Sequence, residues 1–258
     1  RQLRRARPLL GAAGRWPRPE NQDARILYSI RTSFLGRWGP APADGDRLAL
    51  QRPEAGAGEG ADGVGKSTHV QLLAEALERC DIPVLVTREP GGTPGAEKIR
   101  TLLKDGAVNE WLPLSEVLLL YAGRFDHVEK VIKPALEKGT WVISDRFSDS
   151  TIAYQVYGNG ESKSFVEYVH KYILGNFRPD LTFILTVNMN KAFKRIQKRK
   201  KKNRYDKFSK KFYEKAQKAF IKIAKTNKSR YKILDNSRDT SEVEKKIFDY
   251  FIDSFNRK

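Results

Sequence analysis

A chain of 258 residues, 40% hydrophobic and 31% charged, is long enough for one substantial core or for one domain with an extension. No stretch approaches the roughly 18 uninterrupted apolar residues that a membrane-spanning helix needs. The single cysteine, Cys80, excludes an internal disulfide and suits a reducing compartment, and the formal net charge of +18 raises the question of a nucleic-acid partner.

That charge has two sources. Residues 1–58 carry eleven Arg, no Lys and five acids, whereas residues 59–258 carry twelve Arg, twenty-six Lys and twenty-six acids. Every lysine thus lies beyond position 58, the sharpest composition break in the chain. The first 58 residues are rich in Arg, Ala, Gly and Pro and show no sustained helical or strand period. Arg richness and scarcity of acids are traits of an organelle transit peptide, but the prolines, glycines and poor amphipathic pattern argue instead for a disordered extension or sequence foreign to the domain.

From Glu59 onward, helix and strand signals alternate, which predicts an α/β domain with a parallel sheet. A helix is expected over residues 67–79, with Cys80 a small packing residue before the next strand. Short apolar runs at residues 83–87, 141–145, 181–187 and 231–235 suit buried parallel strands. Further helices are expected over residues 114–137, 165–174, 207–224 and 241–255. In the first of these, Val117, Leu118, Tyr121, Phe125, Val128 and Ile132 recur at three- and four-residue spacing and predict one apolar stripe.

Gly60-Ala-Asp-Gly-Val-Gly-Lys-Ser67 matches the phosphate-cradling pattern G-x-x-x-x-G-K-[ST]. Its glycines let backbone N–H groups turn toward phosphate oxygens, Lys66 adds a positive charge, and the Ser67 hydroxyl suits Mg²⁺. A helix starting at Lys66 aims its positive end at the same anion. Such a loop should follow a buried strand, yet Leu48–Leu50 is the only candidate start, and Pro53 followed by alternating Ala and Gly argues against continuation. The first strand is therefore expected to be missing or replaced. Losing several buried aliphatic side chains, each worth about 1.5–3 kcal/mol, is serious against a total stability of about 5–15 kcal/mol.

Asp145 ends a predicted strand, where a carboxylate can hold Mg²⁺ opposite the phosphate loop, and Arg146 follows at the mouth of the sheet. Thr87-Arg-Glu-Pro-Gly-Gly-Thr93 also follows a strand, and its rigid turn holds Arg88 and Glu89 at the same edge. The basic run at residues 194–204 is compatible with nucleic-acid phosphates, a solvated helix face or a mobile lid over ATP; no aromatic residue is interleaved in it for base stacking.

The segments 59–68, 87–93, Glu97-Lys-Ile-Arg100, Tyr121-Ala-Gly-Arg124, Asp145-Arg-Phe147 and Ser150-Thr-Ile-Ala-Tyr-Gln155 stand in the order found in thymidylate kinases, and the chain resembles that family over about 200 residues, from Glu59 to the C-terminus. The resemblance implies a P-loop α/β fold of the nucleoside-monophosphate kinase type with a five-stranded parallel sheet. It implies transfer of the ATP γ-phosphoryl group to dTMP, with Mg²⁺, in a cytoplasmic homodimer whose 114–137 helix is a candidate contact. No membrane is expected and nucleic acid is disfavoured.

By the same resemblance, Gly60, Gly63, Gly65, Lys66, Ser67 and Thr68 hold ATP, with Ser67 and Asp145 on the metal. Asp62 meets the sugar 3′-hydroxyl, Glu89 lies near the sugar and magnesium, and Arg100 and Arg146 hold the dTMP phosphate. Arg124 reads the thymine edge, assisted by Thr151 and Gln155, while Ala153 lies in the small pocket favouring deoxyribose. Gly63 stands where some members place a catalytic arginine, which resembles the bacterial subtype in which arginines of a lid around 195–206 take over. Arg199 and Arg204 are the candidates, beside Lys66 and Arg146. Leu120 occupies a position usually held by a stacking aromatic. The alternatives are another P-loop deoxynucleotide kinase and an inactive basic nucleic-acid-binding product.

Overall fold

In the computed structural model, which describes residues 54–237 and 240–255, five parallel strands form one sheet in the order β2-β3-β1-β4-β5. They are β1 (Ala55–Glu59), β2 (Val84–Arg88), β3 (Trp141–Asp145), β4 (Leu181–Thr186) and β5 (Tyr231–Asp235). The reading of the N-terminal extension lies outside the described residues as far as position 53.

The expectation of a missing first strand is overturned. Ala55-Gly-Ala-Gly-Glu59 is the central strand, buried throughout. It pairs with β3 on one side, Ala55 opposite Val142, and with β4 on the other, Gly56 opposite Leu181. Two complete hydrogen-bonding ladders hold a segment whose own side chains contribute almost nothing, and its apolar surroundings come from its neighbours. Ala57 packs with Val142, Val128 and Ile132 on one face, while Ile143, Leu181, Phe183 and Leu185 build the core on the other. The composition break at position 58 cuts through this strand, so Ala55–Gly58 belong to the sheet.

A cavity of about 20 Å³ remains beside Gly56 and Gly58, against Val70 and Phe251. A Cβ at Gly56 meets only the carbonyl oxygens of Leu181 and Val142, at 3.9 and 4.0 Å, whereas one at Gly58 falls 2.9 Å from Val70 Cγ2. Gly56→Ala is therefore expected to stabilise the fold by about 0.5–1 kcal/mol through reduced chain entropy, and Gly58→Ala to destabilise it. Opposite shifts in Tm for the two variants check this.

The helices are α1 (Lys66–Glu78), α2 (Pro94–Lys104), α3 (Pro113–His127), α4 (Lys133–Glu137), α5 (Ser148–Thr151), α6 (Lys163–Leu174), α7 (Met189–Gln197), α8 (Lys210–Ala224) and α9 (Thr240–Phe255). A π-helical turn at Val128–Ile132 joins α3 to α4, and a second, Ile152–Gly158, extends α5. Pro94 at the start of α2 and the Thr93 hydroxyl accepting from Ala96 N account for an element not assigned from the pattern. The single apolar stripe expected on α3 is two faces. Val117, Tyr121, Val128 and Ile132 are buried, whereas Leu118 and Phe125 are about half exposed. Trp141 at the start of β3 packs edge-on against Phe255 and at a tilt against Phe251, both of α9. Among the described residues, no helix is long and apolar enough to cross a membrane.

Candidate active site

The C-terminal ends of β1, β2 and β3 open into a cleft of about 600 Å³, where crossover loops of a parallel sheet leave room for a ligand. Eight cationic side chains line it against three carboxylates, so it is built for an anion.

The phosphate loop forms its floor. Gly63 and Gly65 have φ of 77° and 95°, and a Cβ at Gly63 would lie 2.8 Å from Ala192 O of α7, so only glycine fits there. Lys66, first residue of α1, is buried and donates from Nζ to Ala61 O at 2.8 Å. Burial, aided by the Arg146 cation, pushes its ammonium down to about 8 against the pull of Asp62, Asp145 and Glu59. The Ser67 hydroxyl donates to Asp145 Oδ2 at 2.5 Å, and Asp145 Oδ1 is buried without a hydrogen-bond partner. A hydroxyl and a carboxylate with a spare oxygen are a hard donor set that fits Mg²⁺.

Arg146 is the hub of the next wall. Its backbone has φ of 74°, uncommon for a residue with a side chain, and its amide donates to Gly58 O at 2.9 Å. Nη2 donates to Asp62 Oδ1 at 2.7 Å; Nη1 donates to Gly60 O at 3.1 Å and Ser150 Oγ at 2.9 Å. The Tyr154 ring lies under the guanidinium at 5.2 Å, and its hydroxyl donates to Asp62 Oδ2 at 3.3 Å. Burial alone would raise the Asp62 carboxyl, but the Arg146, Lys66 and Arg199 cations outweigh it and hold it well below the usual carboxylate range.

Glu59 supports this loop from beneath, accepting from Phe147 N at 2.6 Å, Ser150 N at 3.2 Å and Ser150 Oγ at 2.5 Å. Its position at the end of β1, one residue before the phosphate loop, gave it no separate role in the sequence pattern.

At the far end, Arg124 of α3 is buried. Nε donates to Glu89 Oε2 at 2.7 Å and Nη2 to Thr151 Oγ1 at 3.1 Å, while Nη1 has no partner. His127 clamps Glu89 from the other side, 3.3 Å from Oε1, and its second nitrogen meets Thr87 Oγ1 at 2.7 Å. Leu120 lines the cleft, whereas Tyr121 packs with Val166 and Val169 behind it. The aromatic residues on the cleft wall are Phe147, Tyr154 and Tyr205. Arg100 lines the cleft and donates to Pro90 O at 2.7 Å, and Ala153 is fully buried beside Tyr154 in the core.

Of the residues singled out from sequence, Asp62, Gly63, Gly65, Lys66, Ser67, Thr68, Glu89, Arg100, Arg124, Asp145, Arg146, Thr151, Gln155 and Arg199 all line the cleft. Gly60 forms the loop's base rather than its lining. Arg204 is not on the cleft wall. It is 1% exposed, ion-paired with buried Glu116, and donates to Leu103 O at 2.9 Å and Val108 O at 3.1 Å. Its donors are consumed by α2, α3 and the turn between them, which removes it as a mobile catalytic arginine. Arg195, not selected from sequence, lines the cleft and donates to Gly63 O at 3.1 Å. Its one-turn spacing from Arg199 along the basic run is the signal that could have found it. The lysines of that run, Lys194, Lys198 and Lys200–Lys202, are exposed.

The family model described as "Thymidylate kinase" matches residues 59–247. The chain is 43% identical over 194 residues to a thymidylate kinase of Afipia carboxidovorans, covering 74% of this chain and 85% of that one. It is 39% identical over 194 residues to a thymidylate kinase of Caulobacter vibrioides, covering 75% and 93%. The crystal structure of thymidylate kinase from Ehrlichia chaffeensis is similar with a TM-score of 0.62 at 34% identity, over 78% of this chain and 98% of that one.

Proposed function

The chain belongs to the thymidylate kinase family, and from that premise we propose how its cleft transfers the γ-phosphoryl group of ATP to dTMP to give dTDP. ATP lies along the phosphate loop, its phosphates on the backbone of Gly60–Gly65 and on Lys66, Ser67 and Thr68. The dTMP phosphate lies against Arg146 and Arg100, its sugar hydroxyl on Asp62 with Glu89 nearby, and its base on Arg124, Thr151 and Gln155. Arg199, with Arg195 beside it, supplies the lid cations over the transferring group. Mg²⁺, held by Ser67 and Asp145, supplies neutralisation of the phosphate charge.

The accepting phosphate oxygen is anionic near neutral pH, so this reading needs no strong general base and no covalent intermediate. What the chain's own residues do is hold two anions in line and meet the charge that develops between them. The Arg146–Asp62–Tyr154 cluster keeps one guanidinium at fixed orientation before substrate arrives, which avoids reorganisation during the reaction.

The observation that carries the base-end assignment is the free Nη1 of Arg124. Its Nε is committed to Glu89 and its Nη2 to Thr151, so a buried donor is left without an acceptor in the cleft. The O4 carbonyl of thymine is such an acceptor. Arg124→Met is expected to raise the Kd for dTMP by about 100-fold, in the range of a lost charged hydrogen bond, while the Kd for ATP moves less than about twofold. Calorimetric titration with each nucleotide separately checks this, and equal weakening of both would contradict it.

Lys66 gives the cleft a pH limit. Its cation is present below about 8 in the free enzyme and is lost above it. The kcat/KM for ATP is therefore expected to fall as pH rises through about 8, by up to about tenfold per pH unit. A profile flat to pH 9.5 would contradict a role for the Lys66 charge.

The outward face of α3 presents Leu114, Leu118 and Phe125, each 43–50% exposed, which supports a homodimer formed across this helix. A cytoplasmic enzyme fits the lone Cys80, buried and pushed up to about 11 chiefly by burial, as an inert packing thiol.

A further inference from the structure

Glu116, in the first turn of α3, is fully buried and has no part in the phosphate chemistry. Three donors converge on it. Arg204 Nη2 meets Oε1, while Gln155 Nε2 donates to Oε2 at 3.0 Å and Asn159 Nδ2 to the same oxygen at 3.3 Å. Gln155 is 2% exposed, and it is the one of the two side-chain amides that lines the cleft.

An amide side chain has two orientations, which present opposite hydrogen-bonding groups to whatever faces it. Paired with a guanidinium, Glu116 is a carboxylate and only accepts. The nitrogen of Gln155 must therefore point at Glu116, and the amide oxygen is left for the cleft. We propose that Glu116 is a positioning residue for base recognition, fixing the Gln155 amide so that its carbonyl oxygen meets the N3–H of a pyrimidine.

The proposal rests on the reading that Gln155 contacts the base, and it gives that contact a sign. Thymine and uracil carry a hydrogen at N3 and an acceptor at position 4; cytosine carries an acceptor at N3 and a donor at position 4. A fixed acceptor from Gln155 and a fixed donor from Arg124 therefore fit the first pair and oppose the third base. Arg204 sets the charge of Glu116 from the last position of the basic run, where Asn203 and Tyr205 on either side line the cleft. The arginine displaced from catalysis thereby supports the base reader.

The test measures kcat and KM for dTMP, dUMP and dCMP in the full chain and in Glu116→Gln, Gln155→Ala and the double variant. Glu116→Gln frees the Gln155 amide to turn over. KM for dTMP and dUMP is expected to rise about tenfold in parallel, with kcat within about twofold, while dCMP is not weakened. The preference for dTMP over dCMP falls about tenfold and that over dUMP stays unchanged. In the Gln155→Ala background, Glu116→Gln is expected to change the dTMP/dCMP preference by less than about twofold.

Equal losses for all three acceptors, or losses that add in the double variant, would overturn the proposal and reduce Glu116 to a structural role. If Gln155→Ala alone leaves the dTMP/dCMP preference at its starting value, the assignment of Gln155 to the base fails, and the proposal with it. Should Glu116→Gln not fold, the charge-free pair Glu116→Leu with Arg204→Met carries the test. A folded pair that retains the original dTMP/dCMP preference overturns it equally.

Discussion

Arg204→Met is expected to destabilise the protein by about 3–5 kcal/mol, a loss of roughly 10 °C in Tm, because it leaves Glu116 as an uncompensated buried charge. Two further side-chain contacts go with it, to Leu103 O and Val108 O, while the backbone amide of position 204 keeps its bond to Lys104 O at 2.7 Å. Arg199→Met should do the reverse. Arg199 is 39% exposed, so its bond to the buried Asp206 at 2.5 Å is solvated from the arginine side only, and Asp206 keeps Asn203 N as a donor at 3.0 Å when that bond is lost. Its Tm loss should be about half that of Arg204→Met or less, while kcat falls by about 10²-fold or more, as expected for a cation that acts at the transition state. Thermal melts and kcat for the two variants side by side check this. Equal Tm losses would contradict the different burial of the two arginines.

The second large effect is expected at Arg146. Arg146→Ala removes the guanidinium that meets Asp62, Gly60 and Ser150, and kcat/KM for dTMP should fall by about 10²–10³-fold. Arg146→Gly should lose as much activity yet be more stable than the alanine variant by about 1 kcal/mol. The backbone at φ 74° strains any residue with a Cβ and suits glycine. Parallel measurements of kcat/KM and Tm separate the two contributions. If the glycine variant melts below the alanine variant, the strain at this position is not what its dihedral implies.

Much of the cleft was legible in the sequence because its residues sit in contiguous loops at strand ends. The phosphate loop, Glu89, Arg100, Arg124, Asp145, Arg146 and the 150–155 turn each carry a local pattern, and the parallel sheet brings those strand ends together. Strand β1 was not legible for a physical reason. Ala-Gly-Ala-Gly carries neither bulk nor alternation, and the strand exists because β3 and β4 supply both ladders from residues 87 and more positions away.

Arg199 and Arg204 look alike in a basic run, and only the tertiary placement of Glu116, 88 positions from Arg204, separates a cleft cation from a buried one. The same holds for His127, Tyr154 and Glu59, whose roles lie in contacts 38 to 92 residues distant. The two faces of α3 divided differently from the apolar stripe for a similar reason. Periodicity marks positions that are apolar, not which of them another element covers, and Leu118 and Phe125 stay uncovered in the single chain.

The central claim is that this cleft moves a phosphoryl group from ATP to dTMP. The measurement that tests it most directly is ADP release from ATP and Mg²⁺ by the full chain, with dTMP, dUMP, dCMP, dAMP and dGMP offered in turn as acceptors. Turnover with dTMP well above that with dCMP and both purine nucleotides is the predicted result, with dUMP the nearest competitor because it presents the same base edge to Arg124 and Gln155. Turnover that ignores the base, or none with dTMP from a chain whose melt shows a folded domain, would contradict it.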